Sequence, residues 1–230
     1  MLIVIFIVFG IISFAVSRRL KNKFKKYSQI GLQSGMSGKE VAEKMLADSR
    51  IYDVQVTCVE GSLTDHYNPS NKTVNLSESV YHGRSVAAAA VAAHECGHAV
   101  QHASAYSMLQ LRTALVPLQN ISGKIMNFMF IAMLLGGGFL YNTFPYEGIM
   151  LVIIAAYFVF TMFAFITLPV EFDASNRALQ WIDANRVVNS EEHDMAKDAL
   201  KWAAMTYVVA AIAALVTLLY YVMSFMGSSD

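Results

Sequence analysis

Ser85-Val86-Ala87-Ala88-Ala89-Ala90-Val91-Ala92-Ala93-His94-Glu95-Cys96-Gly97-His98-Ala99-Val100-Gln101-His102-Ala103 decides how this chain is read. Alanine has the highest helix propensity, so the run predicts a helix that carries straight through the two histidines. On a helix, residues four apart lie on one face, one turn above the other. His94 and His98 can therefore offer their imidazoles to a single metal. Glu95 projects beside them, where it can act as general base on a water activated by that metal. Cys96 is two positions from each histidine, rotated by about 200° from both, and reads as a small buried residue.

The remainder of the chain is unusually apolar. Of 230 residues, 56% are hydrophobic and 15% charged, which points to a membrane protein. Net charge is zero, and no nucleic-acid partner is expected. Two cysteines, Cys58 and Cys96, do not make a disulfide framework. Four apolar stretches are candidate spans: 1–17, 125–141, 149–168 and 203–226. Each approaches the length that crosses roughly 30 Å of hydrocarbon as a helix. The first has no basic residue ahead of it and a basic run, Arg18 to Lys26, behind it, the reverse of a secretory signal. Gly136-Gly137-Gly138 in the second allows close helix packing. The spans hold almost no ionisable residue, which argues against a transporter or channel.

The basic residues set the expected orientation. All 17 lie between Arg18 and Lys124 or between Arg177 and Lys201. With four spans, these two segments (18–124 and 169–202) share one side, and the positive-inside rule makes that side cytoplasmic. Both chain ends and the turn around Pro145 then face outward. The expected fold is a mainly α membrane protein of about four transmembrane helices. Its cytoplasmic part is small, α+β and zincin-like, and the whole chain, 1–230, forms a single integral-membrane domain.

Within the cytoplasmic part, Lys39 to Arg50 places Val41, Ala42, Met45 and Leu46 on one helical face, with Ser37 and Glu40 as a capping box. Val54 to Val59 alternates as a strand, Asp65 to Lys72 is turn-rich, and Thr73 to Ser77 reads as a second strand. An edge of this sheet at Val74, Asn75 and Leu76 is a candidate to bind an extended peptide by strand addition, or else packs against the histidine helix.

Catalytic zinc usually takes three protein ligands and keeps one open position. A histidine ten residues after His94 is ruled out, because that position is Ser104. His102 stands about 12 Å along the helix axis from His94, too far to share the metal comfortably. A glutamate on a later helix remains, and Glu171 in Leu168-Pro169-Val170-Glu171-Phe172-Asp173-Ala174-Ser175 is the candidate. Pro169 suits a first helical turn. Asp173 either orients a ligand histidine or caps the helix start. Glu191-Glu192-His193-Asp194, after Asn189-Ser190, reads more simply as a capped, solvated helix start. For a second oxyanion donor His66, Tyr67, His82, Arg177 and His193 are all open.

The motifs Leu63-Thr64-Asp65-His66-Tyr67, Lys72 to Ser77, Gly83-Arg84-Ser85, Val91 to Ala99 and Leu168 to Ser175 together resemble the bacterial membrane-associated neutral zinc metallopeptidases of the YugP type. The resemblance covers nearly the whole chain. More distantly the chain is similar to the HtpX-like membrane gluzincins, which also place the His-Glu-x-x-His motif on the cytoplasmic side. In those an Asp usually stands four residues after the ligand Glu, where this chain has Ser175. The resemblance implies a bacterial inner-membrane zinc endopeptidase with one Zn²⁺ per chain, its site facing the cytoplasm. Its substrates would be peptides or proteins, membrane proteins among them. The alternative from another class is a non-catalytic zinc-containing scaffold or chaperone-like binder. Intact Glu95 argues against that, since a structural site needs no base.

Overall fold

A computed structural model describes residues 1–143 and 145–227, with side chains described outside 135–143. In chain order the elements are α1 (Leu2–Ser28), α2 (Gly38–Asp48), β1 (Gln55–Val59), β2 (His66–Asn68), β3 (Thr73–Ser77), α3 (Glu78–Tyr81), α4 (Val86–Ala103), α5 (Ser107–Thr143), α6 (Tyr146–Ala184) and α7 (Ser190–Met226). The fold is mainly helical with one small mixed sheet. The chain divides into two compact units. One comprises Met1–Ser13, Leu111–Thr167 and Tyr207–Asp230, and the other Phe14–Gln110 and Leu168–Thr206.

The second unit is built around α4. Its alanines are short enough to be covered on several sides at once, and Val86 through Ala93 are buried apart from Val91. Ser85 caps the helix, accepting a hydrogen bond from the Ala88 N–H at 3.2 Å. Larger side chains come from the neighbours. Val41, Ala42, Met45 and Leu46 of α2 are buried in the same core as α4, the four residues its periodicity predicts. The expected capping box is present. The Ser37 hydroxyl accepts from the Glu40 N–H, and the Glu40 carboxylate accepts from the Ser37 N–H at 2.6 Å. Two bonds at one helix end satisfy main-chain donors that nothing inside the helix can reach.

The sheet has the order β1-β3-β2. β1 runs parallel to β3 with Val56 opposite Val74, and β2 runs antiparallel to it with Tyr67 opposite Val74. Val74 and Leu76 are fully buried, beneath α4. Asp65 fixes the entry to β2 by accepting from the Ser77 N–H at 2.7 Å and from its hydroxyl. β2 lies inside the stretch read from sequence as turns. Three residues beside a proline carry no strand signal of their own, and their extended form comes from pairing with β3.

α6 corrects another expectation. Pro169 does not open a new helix but lies inside a continuous one of 39 residues. Proline removes one backbone donor and crowds the carbonyl four residues back. Strong helix on both sides tolerates that loss here. Glu171 is thus on the helix that also bears the apolar run 149–168, three residues past its end. At the start of α7, Asn189 and Glu192 form a reciprocal cap at 2.8 and 2.9 Å. Glu192 is not solvated as expected. It is buried and also accepts from the Gln33 N–H at 2.7 Å.

The first unit is apolar inside and out. Ile149 and Ile153 pack with Met126, Met129, Tyr157 and Tyr221. Phe6, Phe128, Phe130, Phe158 and Met223 are exposed, as expected of surface that meets lipid rather than water. Among the described residues, three helices are long and apolar enough to cross a membrane: α1, α6 and α7. The fourth expected span, 125–141, lies within helix α5 but runs into 135–141, outside the described side chains, as does Gly136-Gly137-Gly138. The turn around Pro145 includes one residue outside the description, and so does most of the C-terminal Gly-Ser-Ser-Asp.

Replacing Ser37 by Ala should destabilise the protein by about 1 kcal/mol, because the α2 cap loses its acceptor. Denaturant unfolding in detergent, followed at the Trp181 that packs against the same core, measures it.

Candidate metal centre

Helix α4 brings His94 and His98 together as the spacing requires, their rings 4.8 Å apart and nearly perpendicular. The third group arrives from α6 because the two helix backbones meet. A Cβ on Gly97 would stand 2.5 Å from the Ala174 carbonyl oxygen. Only glycine leaves room for that approach. With Ala174 against Gly97, Glu171 one turn earlier on α6 falls beside both histidines. Its Oε2 lies 3.4 Å from His94 Nε2 and 3.6 Å from His98 Nε2.

These distances suit a metal better than direct hydrogen bonds. Ligands about 2.0–2.1 Å from a tetrahedral zinc stand roughly 3.3–3.4 Å from one another. The ligand atoms of His94, His98 and Glu171 all lie within 4.8 Å of one another, and among the described residues this is the cluster that could hold an ion. Glu171 and His98 are buried and His94 nearly so. Two neutral imidazoles and a carboxylate fit one Zn²⁺ with a position left open. Burial by itself disfavours the charged form of His98, but Glu171 and Glu95 outweigh it and hold the His98 pKa above its ordinary value.

Each histidine is also held at its far nitrogen. His94 Nδ1 meets the Ser175 hydroxyl at 3.1 Å. His98 Nδ1 meets Gln101 Oε1 at 3.0 Å. Asp173, read from the sequence as either orienting a ligand histidine or capping a helix start, accepts from Gln101 Nε2 at 2.8 Å and from Arg177 Nε at 2.6 Å. It caps no helix start, since α6 runs through it. Gln101 and Ser175 were not singled out as histidine partners from the sequence. A lone amide in an alanine-rich helix, one turn past a ligand, was the available signal for Gln101. Ser175 was visible as the point where the chain departs from the distant HtpX-like pattern.

Glu95 is buried, and its Oε2 accepts from the Tyr67 N–H at 3.0 Å. Tyr67 also meets His102 Nδ1 through its hydroxyl at 2.7 Å, so His102 is occupied there and lies outside the metal cluster. Of the other oxyanion candidates, Arg177 is committed to Asp173 and His66 Nδ1 to the Thr64 carbonyl at 2.8 Å. Cys96 points away, its thiol donating to the Ala42 carbonyl, and burial pushes its pKa far up.

The expected substrate edge is corrected. Val74, Asn75 and Leu76 belong to β3, the central strand, whose main chain is paired on both sides. Asn75 is occupied in the sheet, its oxygen accepting from Thr57 and its nitrogen donating to Thr73.

A histidine pair on one helix with a glutamate from a second, in a chain with long apolar helices, defines a gluzincin-like zinc protease of the membrane. The chain belongs to the family described as "Putative neutral zinc metallopeptidase", whose model matches residues 2–226. It is 39% identical over 219 residues to a Bacillus subtilis (strain 168) protein named "Putative membrane protease YugP", covering 95% of this chain and 94% of that one. No solved structure matches it. It is therefore a zinc-dependent hydrolase of bacterial membranes, with one metal centre per chain.

Gly97→Ala should lose zinc while keeping its helical content, because the added methyl drives α6 from α4 and carries Glu171 away. Metal analysis and far-ultraviolet circular dichroism of the purified variant give both answers.

Proposed function

We propose that the protein is an endopeptidase that cuts peptide bonds at a cytoplasmic, membrane-proximal site, with Glu95 as the general base. The observation that carries this reading is the placement of a buried Glu95 on the turn of α4 between two histidines that share Glu171. When bound there, zinc supplies Lewis acidity that acidifies water and polarises the scissile carbonyl. Glu95 takes the proton from the attacking water and delivers it to the leaving amine. His94, His98 and Glu171 hold the metal. Asp173 acts on His98 at one remove, by fixing Gln101.

Substrate binding passes to β2. Groups along an antiparallel strand point alternately toward the partner strand and away from it. The Tyr67 N–H points to Glu95 rather than to β3, so it lies on the outer edge of β2. An extended peptide laid along that edge arrives next to the base. A cavity of about 170 Å³ adjoins it, lined by Ile51, Val54, Tyr67, Ala99 and His102 among others, with room for a substrate side chain. Membrane proteins and their cytoplasmic tails are the natural class of substrate, since Glu171 follows directly on an apolar run.

The chain is further read as one integral domain with four spans, the basic segments 18–124 and 169–202 sharing the cytoplasmic face. Cys58 tests this. It is exposed, whereas Cys96 is buried. A membrane-impermeant maleimide should label Cys58 in inverted membrane vesicles and leave it untouched on intact cells. Labelling on intact cells reverses the topology.

The catalytic reading is tested by zinc content and casein cleavage of the detergent-purified protein beside Glu95→Gln. Equal zinc is expected in both, with cleavage lowered roughly 10²- to 10⁴-fold in the variant. Equal cleavage in both removes Glu95 from the mechanism.

A further inference from the structure

Gln101 is fully buried, and a buried amide is costly unless each end finds a partner. One end of this amide faces two acceptors, the Val170 carbonyl oxygen and Asp173 Oδ2, each at 2.8 Å. Only the nitrogen, with two hydrogens to give, can sit there, because an oxygen would face two acceptors with nothing to donate. The oxygen must then point the other way, to His98 Nδ1 at 3.0 Å. An amide oxygen can only accept. Nδ1 therefore carries the hydrogen, and Nε2, facing Glu171, is left with its lone pair.

We propose that Gln101 is a positioning residue that locks His98 in the tautomer whose Nε2 can bind zinc. This rests on the zinc reading of the site. The amide works on two ligands at once. It lies one turn past His98 on α4, and its partners Val170 and Asp173 flank Glu171 on α6. Its bonds therefore also pin the turn of α6 that presents Glu171. Arg177 completes the series by donating to the same oxygen, Asp173 Oδ2, at 2.6 Å. His94 is held differently. The Ser175 hydroxyl at its Nδ1 can donate or accept and so selects no tautomer.

The decisive experiment compares wild type, Gln101→Met and Gln101→Glu as full chains in detergent. Methionine fills the space but offers His98 no oxygen. Glutamate keeps an acceptor on Nδ1, and in its protonated form it has one hydrogen to give to either Val170 or Asp173. In ¹⁵N-histidine spectra of metal-free protein at alkaline pH, wild type and Gln101→Glu should show His98 protonated at Nδ1. Gln101→Met should shift toward the Nε2-protonated form that free histidine favours. Zinc affinity, read by competition with a chromophoric chelator, should fall roughly 10- to 100-fold in Gln101→Met, and less in Gln101→Glu. A His98 protonated at Nε2 in wild type overturns the proposal outright, even where Gln101→Met does not fold. So does a Gln101→Met protein with unchanged zinc affinity and unchanged tautomer. A wild type that takes up no zinc overturns the metal reading instead, and the spectra still decide the role of Gln101.

Discussion

The backbone contact between Gly97 and Ala174 is the constraint from which the rest of the centre follows. Helices ordinarily pack with axes about 8–10 Å apart, the distance set by the side chains between them. Here no side chain intervenes on α4 and only a methyl on α6, so a carbonyl can approach the spot a Cβ would occupy. That one contact fixes where four polar groups of α6 arrive. Glu171 meets the two imidazoles, Val170 and Asp173 meet Gln101, and Ser175 meets His94. Ala178, four residues beyond Ala174, is fully buried and keeps the helix close.

The alanines of α4 serve the same end at an energetic cost. Buried apolar area stabilises by about 25 cal/mol per Å², and an alanine buries little of it. The bulk that closes this core comes from outside the helix, from Met45 and Leu46 of α2, Leu76 of β3 and Ile182 of α6. In return α4 accepts neighbours on several faces, and its polar residues Glu95, His98 and Gln101 are buried. Among the described residues, no buried side-chain nitrogen or oxygen lacks a hydrogen-bond partner. A carboxylate, two imidazoles and an amide in so dry a setting are stable only as a complete set. Zinc binding and the packing of α4 on α6 are therefore linked, because the ligands come from both helices.

Features governed by local rules were legible in the sequence. Helix spacing gave His94 and His98 a shared face, the Ser37 and Glu40 pair marked the start of α2, and alternation over Val54 to Val59 located β1. Glu171 was reached by excluding nearer ligands and by charge topology. What escaped depends on tertiary partners. β2 is extended only because β3 pairs with it, so reading Val74, Asn75 and Leu76 as an edge placed the edge one strand too far in. Pro169 looked like a helix start because propensity cannot weigh one lost donor against 39 residues of helix. Gln101 escaped because its importance lies in which two acceptors face it, and both belong to another helix.

The link between β2 and Glu95 bears on how the centre can turn over. Glu95, Ala99 and His102 lie along one face of α4, at successive turns. Tyr67 spans that face, its main chain on Glu95 and its hydroxyl on His102. The strand is thus fastened at two points, one of them the carboxylate proposed as the base. A carboxylate has acceptor capacity on both oxygens, and β2 engages Oε2. Proton transfer through Oε1 leaves that fastening intact, so Glu95 need not release the strand to work. A general base that swung freely would lose orientation on each cycle. On the proposed reading, one tethered to the strand along which a peptide would lie stays in register with the bond to be cut, and the small sheet would then belong to the catalytic apparatus rather than only cover α4.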